Sequence, residues 1–418
     1  MKITLACMVL VVSAAAADWP RFRGPDGAGQ AEAPALPLPV TAASQLWKIK
    51  LPGTGHSSPA IVGSRLFVTC GENATAKRMV LCLDAATGRT LWQREFPSKT
   101  YHQNNDNSYA TASPAADATG VVVAWTTPEE VLVVALDNAG KETWRRGLGP
   151  FVCTHGSGSS PIMVGDLVVL SNDQDNPLSA PHNYVNKAMP KEPGKSFLIA
   201  LDRQSGKTRW QLDRTSSQAA FATPCTRRLE NGAMELVCAN TANGLTGVDA
   251  ASGKITWVTD KGFTRRCVGS PVCGAGLIVT TAGSGGMGAE LVAVKPGAQP
   301  TVAYSMTKPL PYVPSPLFIG DKLLLWGDNG QVACLRAATG EVLWREKIEG
   351  AFYSSPIAVQ GRALNTSKTG DLITLDVGDK FAAPARLPLG EKCFATPAVA
   401  GGKLYIRTLT QLFAFSDK

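Results

Sequence analysis

The chain has 418 residues, of which 44% are hydrophobic and 18% charged, and its formal net charge is +8 at pH 7. This length allows a large buried core, and 41 glycines with 28 prolines are typical of a turn-rich β protein. The basic residues are scattered as short pairs and form no patch or stripe of the kind that nucleic-acid binders use, so we expect no nucleic-acid partner.

Residues 1–17 have the pattern of a signal peptide. Lys2 supplies a short positive region, Ile3 to Val12 an apolar run, and Ala17 ends a small-residue cleavage site before Asp18. We therefore expect an exported protein, periplasmic or extracellular and soluble after cleavage. No later apolar run approaches the roughly 18 residues of a membrane helix, so no transmembrane segment is expected. A lipid anchor on Cys7 is disfavoured because too few residues precede it.

Residues 18–44 show no repeat, and we predict an extended N-terminal segment ahead of one domain over residues 45–418. That domain opens with a short strand from Gln45 to Ile49, which contains Trp47 but belongs to no complete repeat. We expect deletion of Gln45 to Leu51 to destabilise the protein far more than trimming of Asp18 to Gly29.

The rest of the chain consists of eight similar units. Each begins with Ser or Thr followed by Pro, an apolar run, a turn and a second apolar run. These eight anchors are Ser58-Pro59, Ser113-Pro114, Ser160-Pro161, Thr223-Pro224, Ser270-Pro271, Ser315-Pro316, Ser355-Pro356 and Thr396-Pro397. Consecutive anchors are 40 to 63 residues apart, and most of these separations match the length of a four-stranded propeller blade.

A second signature marks the turn between the third and fourth strands of a unit. It reads Asp-x-x-Thr/Ser-Gly-x-x-x-Trp and occurs from Asp84 to Trp92, from Asp202 to Trp210 and from Asp249 to Trp257, with Arg336 replacing Asp in a fourth copy. The carboxylate can accept bonds from the turn's own N–H groups, Gly adopts the left-handed conformation, and Trp can cover the next blade.

Two residues before this turn, every unit carries a small residue. The eight are Cys82, Ala135, Ala200, Gly247, Ala293, Cys334, Thr374 and Ala414. We expect the sheets to approach closely at this register.

The last unit lacks its fourth strand. After Thr396 only three strands are predicted, and the strand at Gln45 to Ile49 can supply the missing one, which removes the open sheet edges. The sequence therefore predicts an all-β, eight-bladed β-propeller with four antiparallel strands per blade, closed by the N-terminal strand completing the last blade.

Nine of the ten cysteines lie beyond the predicted signal peptide, without the CxxC or Cys/His spacing of a zinc site. We interpret Cys82 and Cys334 as small buried hydrophobic residues. A disulfide between Cys225 and Cys238, across the first hairpin of the fourth unit, stays open as an alternative.

The repeat Ala/Cys-Leu-Asp-x-x-Thr-Gly-x-x-x-Trp resembles the pyrroloquinoline-quinone-like repeat shared by quinoprotein dehydrogenases and by the propeller lipoprotein of the bacterial outer-membrane assembly machine. This resemblance extends from about Trp47 to the end and implies the fold, whereas function has to be argued from a site. Quinoprotein dehydrogenases are expected to carry vicinal cysteines over the quinone and a Glu/Asn/Asp calcium set. The chain has no adjacent cysteines and no acidic cluster that matches such a set. We therefore predict no cofactor, since pyrroloquinoline quinone or a divalent metal would lack its ligand motifs.

Polar residues collect in the loops expected on one face of the propeller, around the mouth of the axial channel. All four histidines fall there, which suggests a ligand or partner site because His is a common metal ligand and proton carrier. The predicted set is His56, His102, His155, His182, Asp106, Asp173, Asp175, Arg265, Arg266 and Tyr353. The competing interpretation is that loops are generally polar.

Because no catalytic constellation is recognisable, we favour an exported binding or scaffold protein over an enzyme. We expect a monomer that holds an envelope protein or polymer through its loops and blade edges. The alternative is a metal- or quinone-dependent oxidoreductase with its site on the His-bearing face.

Overall fold

The computed structural model describes residues 17–33, 35–156, 158–176, 192, 194–216, 218–260 and 262–417. The predicted signal peptide and its Cys7 therefore lie outside the described residues, apart from Ala17. The strands of the described part form eight antiparallel sheets arranged around one axis, which confirms the eight-bladed propeller. The four strands of each blade are called A to D from the axis outward.

The first four blades take their strands consecutively from the chain. Their strands are β3 (Ala60–Val62), β4 (Arg65–Gly71), β5 (Arg78–Asp84) and β6 (Thr90–Phe96); β7 (Ala115–Asp117), β8 (Gly120–Thr126), β9 (Val131–Asp137) and β10 (Glu142–Gly147); β11 (Ile162–Val164), β12 (Leu167–Asn172), β13 (Ser196–Asp202) and β14 (Thr208–Arg214); β15 (Cys225–Arg228), β16 (Met234–Asn240), β17 (Gly244–Asp249) and β18 (Ile255–Val258).

Blades five to seven repeat this arrangement, and blade eight has three strands from the C-terminal end. These strands are β19 (Val272–Gly274), β20 (Leu277–Ser284), β21 (Met287–Lys295) and β22 (Thr301–Leu310); β23 (Leu317–Ile319), β24 (Lys322–Trp326), β25 (Gln331–Arg336) and β26 (Val342–Lys347); β27 (Ile357–Val359), β28 (Arg362–Thr366), β29 (Asp371–Asp376) and β30 (Ala385–Pro388); β31 (Ala398–Ala400), β32 (Lys403–Arg407) and β33 (Gln411–Phe415).

Closure of the ring takes place in blade eight. Strand β2 (Gln45–Lys50) follows a short 3₁₀ helix (Ala42–Ser44) and pairs antiparallel with β33, placing Trp47 opposite Ala414. The N-terminal strand therefore completes the last blade as predicted. Within the described residues, no helix is long and apolar enough to cross a membrane.

Among the described residues, five blades use an aromatic residue of strand D to donate a hydrogen bond to the C–D turn of the next blade. Trp92 lies opposite the small residue Cys82 and donates its indole N–H to the Asn138 carbonyl in the C–D turn of blade two, at 2.9 Å. Gly140 in that turn has φ +77, and a Cβ there would lie 2.7 Å from the Trp92 ring. The turn Gly is thus required both by its left-handed backbone and by the neighbouring indole.

This contact also explains the register of small residues. Ala135 and Ala200 lie opposite Trp144 and Trp210, just as Ala414 lies opposite Trp47. A large side chain would collide with the aromatic ring on the adjacent strand, since directly opposite Cβ atoms are only about 4.5–5.5 Å apart. Cys82 and Cys334 are fully buried members of the inter-blade cores.

A ring of hydrogen bonds surrounds the axis at the eight anchors. The backbone N–H of Ser58 donates to the Ser113 hydroxyl at 2.9 Å, and the N–H of Ser113 donates to the Ser160 hydroxyl at 2.9 Å. Among the described residues, seven such bonds follow one another from Ser58 to Thr396. The anchor hydroxyls from Ser113 to Thr396 therefore each tie their blade to the preceding one.

The N-terminal segment packs across the end of the axis that carries the A–B turns. Trp19 is 1% exposed and exchanges backbone hydrogen bonds with Ile61 of blade one. Arg21 donates to the Pro224 carbonyl of blade four at 2.9 Å, and Arg23 donates to the Pro316 carbonyl of blade six at 3.0 Å. Strand β1 (Gln30–Ala31) then pairs parallel with β27 of blade seven.

These contacts change one expectation drawn from the sequence. Arg21 and Arg23 are fully buried, and burial lowers the pKa of each guanidinium to about 10. A segment that bonds to blades one, two, four, six and seven and buries Trp19 contributes to the core. We therefore now expect trimming of residues 18–29 to be strongly destabilising as well, in contrast to the much smaller effect expected from the sequence.

We predict that Ser113→Ala lowers the free energy of unfolding by about 1–3 kcal/mol, because the buried N–H of Ser58 loses its acceptor. Chemical unfolding followed by Trp fluorescence measures this loss. Ser113→Thr is the matched control and should be close to wild type, since two of the anchors are Thr. An equal loss of stability in Ser113→Ala and Ser113→Thr would show that the hydroxyl acceptor is not the cause.

Trp19→Ala is predicted to cost about 3–5 kcal/mol, as expected for truncation of a large buried aromatic side chain. The same unfolding measurement tests it. Leu91→Ala, at a residue that is 39% exposed on the outer strand of blade one, should change stability by no more than about 0.5 kcal/mol. A small effect of Trp19→Ala would show that the N-terminal segment is only loosely attached.

Candidate functional site

A funnel of about 440 Å³ lies on the propeller axis. All eight anchor residues line it, and so does the residue two positions before each anchor: His56, Thr111, Gly158, Phe221, Val268, Val313, Tyr353 and Phe394. Phe22 also lines the funnel. Since Arg21 and Arg23, on either side of it, bond to blades four and six, Phe22 forms the floor and the N-terminal segment closes that end.

The sequence analysis missed that the residue two positions before every anchor lines the funnel. It selected His56 and Tyr353 by residue type and left out the six other positions of the same ring. A rule based on the repeat would have found all eight, because equivalent positions of the blades occupy equivalent places around the axis.

One wall of the funnel is aromatic. The His56 ring stacks on Phe394 with centroids 4.3 Å apart, and the Tyr353 ring meets Phe394 edge-on at 6.1 Å. The Lys368 ammonium lies 4.2 Å from the Tyr353 ring centroid and donates to Asp106 at 2.9 Å. Asp106 therefore faces the funnel as one half of an ion pair.

The opposite wall is organised by Arg266. Its Nη1 lies 2.7 Å from His155 Nδ1, and its Nη2 donates to Asp175 Oδ1 at 3.1 Å. Its guanidinium carbon lies 5.7 Å from the Phe221 ring centroid. Asp175 is buried behind this contact and also accepts the backbone N–H of Thr154 at 2.9 Å. The guanidinium is thus held by an anion, a neutral ring and an aromatic face.

Both lining histidines are neutral at pH 7. Burial, with the positive charge of Arg407, lowers the pKa of His56 to about 3. Burial, with the positive charge of Arg266, lowers the pKa of His155 to about 4. Because a guanidinium can only donate, Nδ1 of His155 is the acceptor and its proton belongs on Nε2.

The structure brings together part of the predicted site. His56, His155, Asp106, Arg266 and Tyr353 line the funnel, and Asp175 lies directly behind it. His102 and Arg265 are exposed and do not line it, and His182 lies outside the described residues. That the converging residues bind a ligand stays a prediction.

Asp173 has a different position from the one expected. It is 1% exposed and accepts hydrogen bonds from Asn240 at 2.7 Å and Ser171 at 3.0 Å, with Arg214 Nε 3.4 Å away. These contacts connect blades three and four below the loop surface, so Asp173 braces the scaffold and does not face the funnel.

Asp328 is a buried carboxyl that the sequence reasoning missed. It lies in the Gly-Asp-Asn-Gly turn after strand B of blade six and accepts the backbone N–H groups of Tyr312 at 2.7 Å and Val313 at 3.1 Å. Burial raises the pKa of Asp328 to about 6. Since Tyr312 and Val313 line the funnel, Asp328 positions that part of the rim.

One group has the composition of a metal site. The ligand atoms of Cys153, His155 and Asp175 all lie within 4.8 Å of one another. The Arg266 guanidinium contacts two of the three, so a divalent cation there would lie beside a fixed positive charge. Burial also raises the pKa of the Cys153 thiol to about 12, which keeps it protonated. The arrangement fits an arginine clamp better than a metal centre.

A family model described as outer membrane protein assembly factor BamB matches residues 40–175, 76–311 and 305–380. The chain belongs to this family. The crystal structure of BamB from Moraxella catarrhalis superposes with a TM-score of 0.62 at 16% identity, covering 90% of this chain and 97% of that one. This chain and the BamB crystal structure therefore share the propeller fold.

Similarity also extends to dehydrogenases. A polyvinylalcohol dehydrogenase from Pseudomonas sp. is 27% identical over 203 residues, which is 48% of this chain but 28% of that protein. A europium-containing methanol dehydrogenase has a TM-score of 0.53 at 13% identity, covering 96% of this chain and 98% of that one. The structural match shows a shared fold, and the chain spans less than a third of the length of the curated relative.

The funnel does not fit pyrroloquinoline quinone, the cofactor that the repeat name implies. This quinone is a flat tricarboxylate, and burying several negative charges requires comparable unpaired positive charge. Among the described residues that line the funnel, the one guanidinium is that of Arg266, which is already paired with Asp175, and the sequence has no adjacent cysteines to cover the ring.

We predict that the melting temperature falls as the pH is lowered from about 6.5 towards 4, partly because of His56. The unfolded chain takes up a proton near pH 6.5, whereas folded His56 does so only near 3. The stability present above pH 6.5 is therefore lost as the pH falls. His56→Leu should show a shallower decline in thermal unfolding, and His102→Leu, at an exposed site, should follow wild type. Parallel curves for His56→Leu and wild type would contradict the assignment.

Proposed function

We propose that the chain is a non-catalytic binding protein of the cell envelope whose axial funnel holds part of its partner. The observation that carries this proposal is the funnel itself, closed by Phe22 and lined by one equivalent position of every blade. A pocket of about 440 Å³ lies in the range used for small-molecule ligands, so it can take one end or side group of a larger molecule.

The charges of the funnel favour an uncharged ligand. Arg266 is paired with Asp175 and Asp106 with Lys368, and the lowered pKa values keep His56 and His155 neutral. A charged ligand would have to compete with these pairs, and separating Arg266 from Asp175 would leave a buried charge uncompensated.

The remaining surface favours a ligand with an apolar face and hydroxyl edges. Phe221, Tyr353 and Phe394 offer aromatic surface, while Asn104 and the anchor hydroxyls offer hydrogen-bonding groups. Sugar rings combine these two features, so we propose an uncharged polysaccharide or a comparable hydroxyl-bearing polymer. The name of the polyvinylalcohol dehydrogenase relative supports this class of ligand, since it also denotes a hydroxyl-bearing polymer.

Family membership supports the location and the scaffold role. The BamB family is described by a function in outer-membrane assembly, which supports the proposal of an exported protein that has partners in the envelope. The alternative partner is therefore an envelope protein that binds the loops around the funnel, and the binding experiment below distinguishes it from a polymer.

An oxidoreductase is the second candidate, because two similar proteins are named as dehydrogenases. Such an activity would need an electron acceptor bound at the same funnel, where the paired charges do not suit the quinone. A dye-reduction assay with alcohols, after incubation with pyrroloquinoline quinone and Ca²⁺, tests it. Turnover that depends on added quinone would replace the binding proposal.

We predict that Val268→Trp abolishes binding to neutral polysaccharides, because the indole fills the funnel from one of its eight equivalent positions. Affinity electrophoresis through gels that contain dextran, soluble cellulose derivatives or poly(vinyl alcohol) measures retardation. Val302→Trp is the matched control, since Val302 is 60% exposed on the outer strand of blade five, and it should be retarded like wild type.

Tyr353→Ala should weaken the same binding at least tenfold through the loss of its ring from the aromatic wall. Retention of envelope proteins, with no retardation by any polymer, would favour the protein partner instead. Equal retardation of Val268→Trp and wild type would show that the funnel is not the site.

A further inference from the structure

Two cysteine sulfur atoms meet between blades four and five. Cys225 begins β15, the innermost strand of blade four, and Cys273 lies in β19, the innermost strand of blade five. Their Sγ atoms are 3.3 Å apart. The contact joins residues that are 48 positions apart in the chain, so it arises only when the two blades assemble.

This contact replaces the pairing that the sequence left open. Cys225 lies opposite Val237, and Cys238 lies opposite Thr246. The sulfur that Cys225 faces therefore belongs to the next blade and not to its own hairpin.

We propose that Cys225 and Cys273 form a disulfide bond in the exported protein, covalently joining the inner strands of blades four and five. Disulfides form and persist in the periplasm and outside the cell. The two sulfur atoms need to approach by about 1.2 Å to reach the bonded distance of about 2.05 Å. Rotation of the two cysteine side chains contributes to this movement.

The bond would lie beneath the N-terminal segment that closes the funnel. Arg21 donates to the carbonyl of Pro224, next to Cys225, at 2.9 Å, and the N–H of Thr226 donates to the Asp26 carbonyl at 2.8 Å. A Cβ on Gly27 would lie 3.3 Å from the Cys225 Cα. The disulfide would therefore anchor the part of blade four on which this segment rests.

The oxidation is a thiol–disulfide exchange with a disulfide of an envelope oxidoreductase. One cysteine thiolate attacks the oxidant disulfide and forms a mixed disulfide, and the second thiolate then displaces the oxidant sulfur. The two cysteines lose two electrons and two protons, and the oxidant leaves as a dithiol. In the folded chain, the hydrogen bond between Cys225 and Cys273, together with burial, raises the pKa of the Cys225 thiol, so the exchange takes place while the strands are still accessible during folding.

The experiment uses the full chain exported to an oxidising periplasm. The protein is denatured in iodoacetamide without reductant, digested and examined by mass spectrometry. We expect a linked peptide pair that contains Cys225 and Cys273 and separates on reduction, with both residues absent from the alkylated peptides. Alkylation of both cysteines before reduction, or a linked pair between other cysteines, would overturn the proposal.

Variants distinguish the bond from general oxidation. Cys273→Ala should make Cys225 fully alkylated and lower the melting temperature by several degrees, whereas Cys238→Ala, also in blade four and buried, should retain the linked pair. Dithiothreitol during refolding should lower the melting temperature of wild type and leave Cys273→Ala unchanged. A linked Cys225 peptide in Cys273→Ala would also overturn the assignment.

Discussion

The propeller depends on the hydrogen bonds in which the N–H of one anchor donates to the hydroxyl of the next, and seven of them link Ser58 to Thr396 among the described residues. These bonds place eight short inner strands at equal depth and so bring the residue two positions earlier in each blade to the same height. An apolar anchor would leave a buried backbone N–H of the preceding blade without its acceptor. The same small residue thus links neighbouring blades and lines the funnel.

The outer part of the molecule is joined by a different contact. In the first three blades, the Trp of strand D reaches the C–D turn of the following blade, where Gly140, Gly206 and Gly253 leave room for the ring. Between blade eight and blade one, Trp47 packs on Gly88, where a Cβ would lie 2.9 Å from the indole. Ring closure by β2 therefore reproduces the interface found between ordinary neighbours.

The axis is not left open as a channel, because residues 18–31 cross it. Their buried arginines bond to backbone carbonyls, and Phe22 between them faces the funnel. An open channel lined by eight hydroxyls would allow an ion or solute to pass through the propeller. A funnel that is closed at one end has the shape of a binding pocket instead. The N-terminal segment accordingly determines what kind of site the repeats can build.

The repeat alone determined the blade number, the strand order and the closure, since each follows from residues that recur at fixed offsets, such as Ser113-Pro114 and Asp84 to Trp92. Residue type alone also drew attention to His56, His155, Arg266 and Tyr353. It could not separate Asp173, which braces two blades, from Asp175, which holds Arg266, because the two lie two positions apart in one loop. It also could not show that Trp19 and Phe22 are part of the propeller, or that Cys225 faces Cys273. These contacts join residues far apart in the chain, and only the closure of eight blades around one axis brings them within reach.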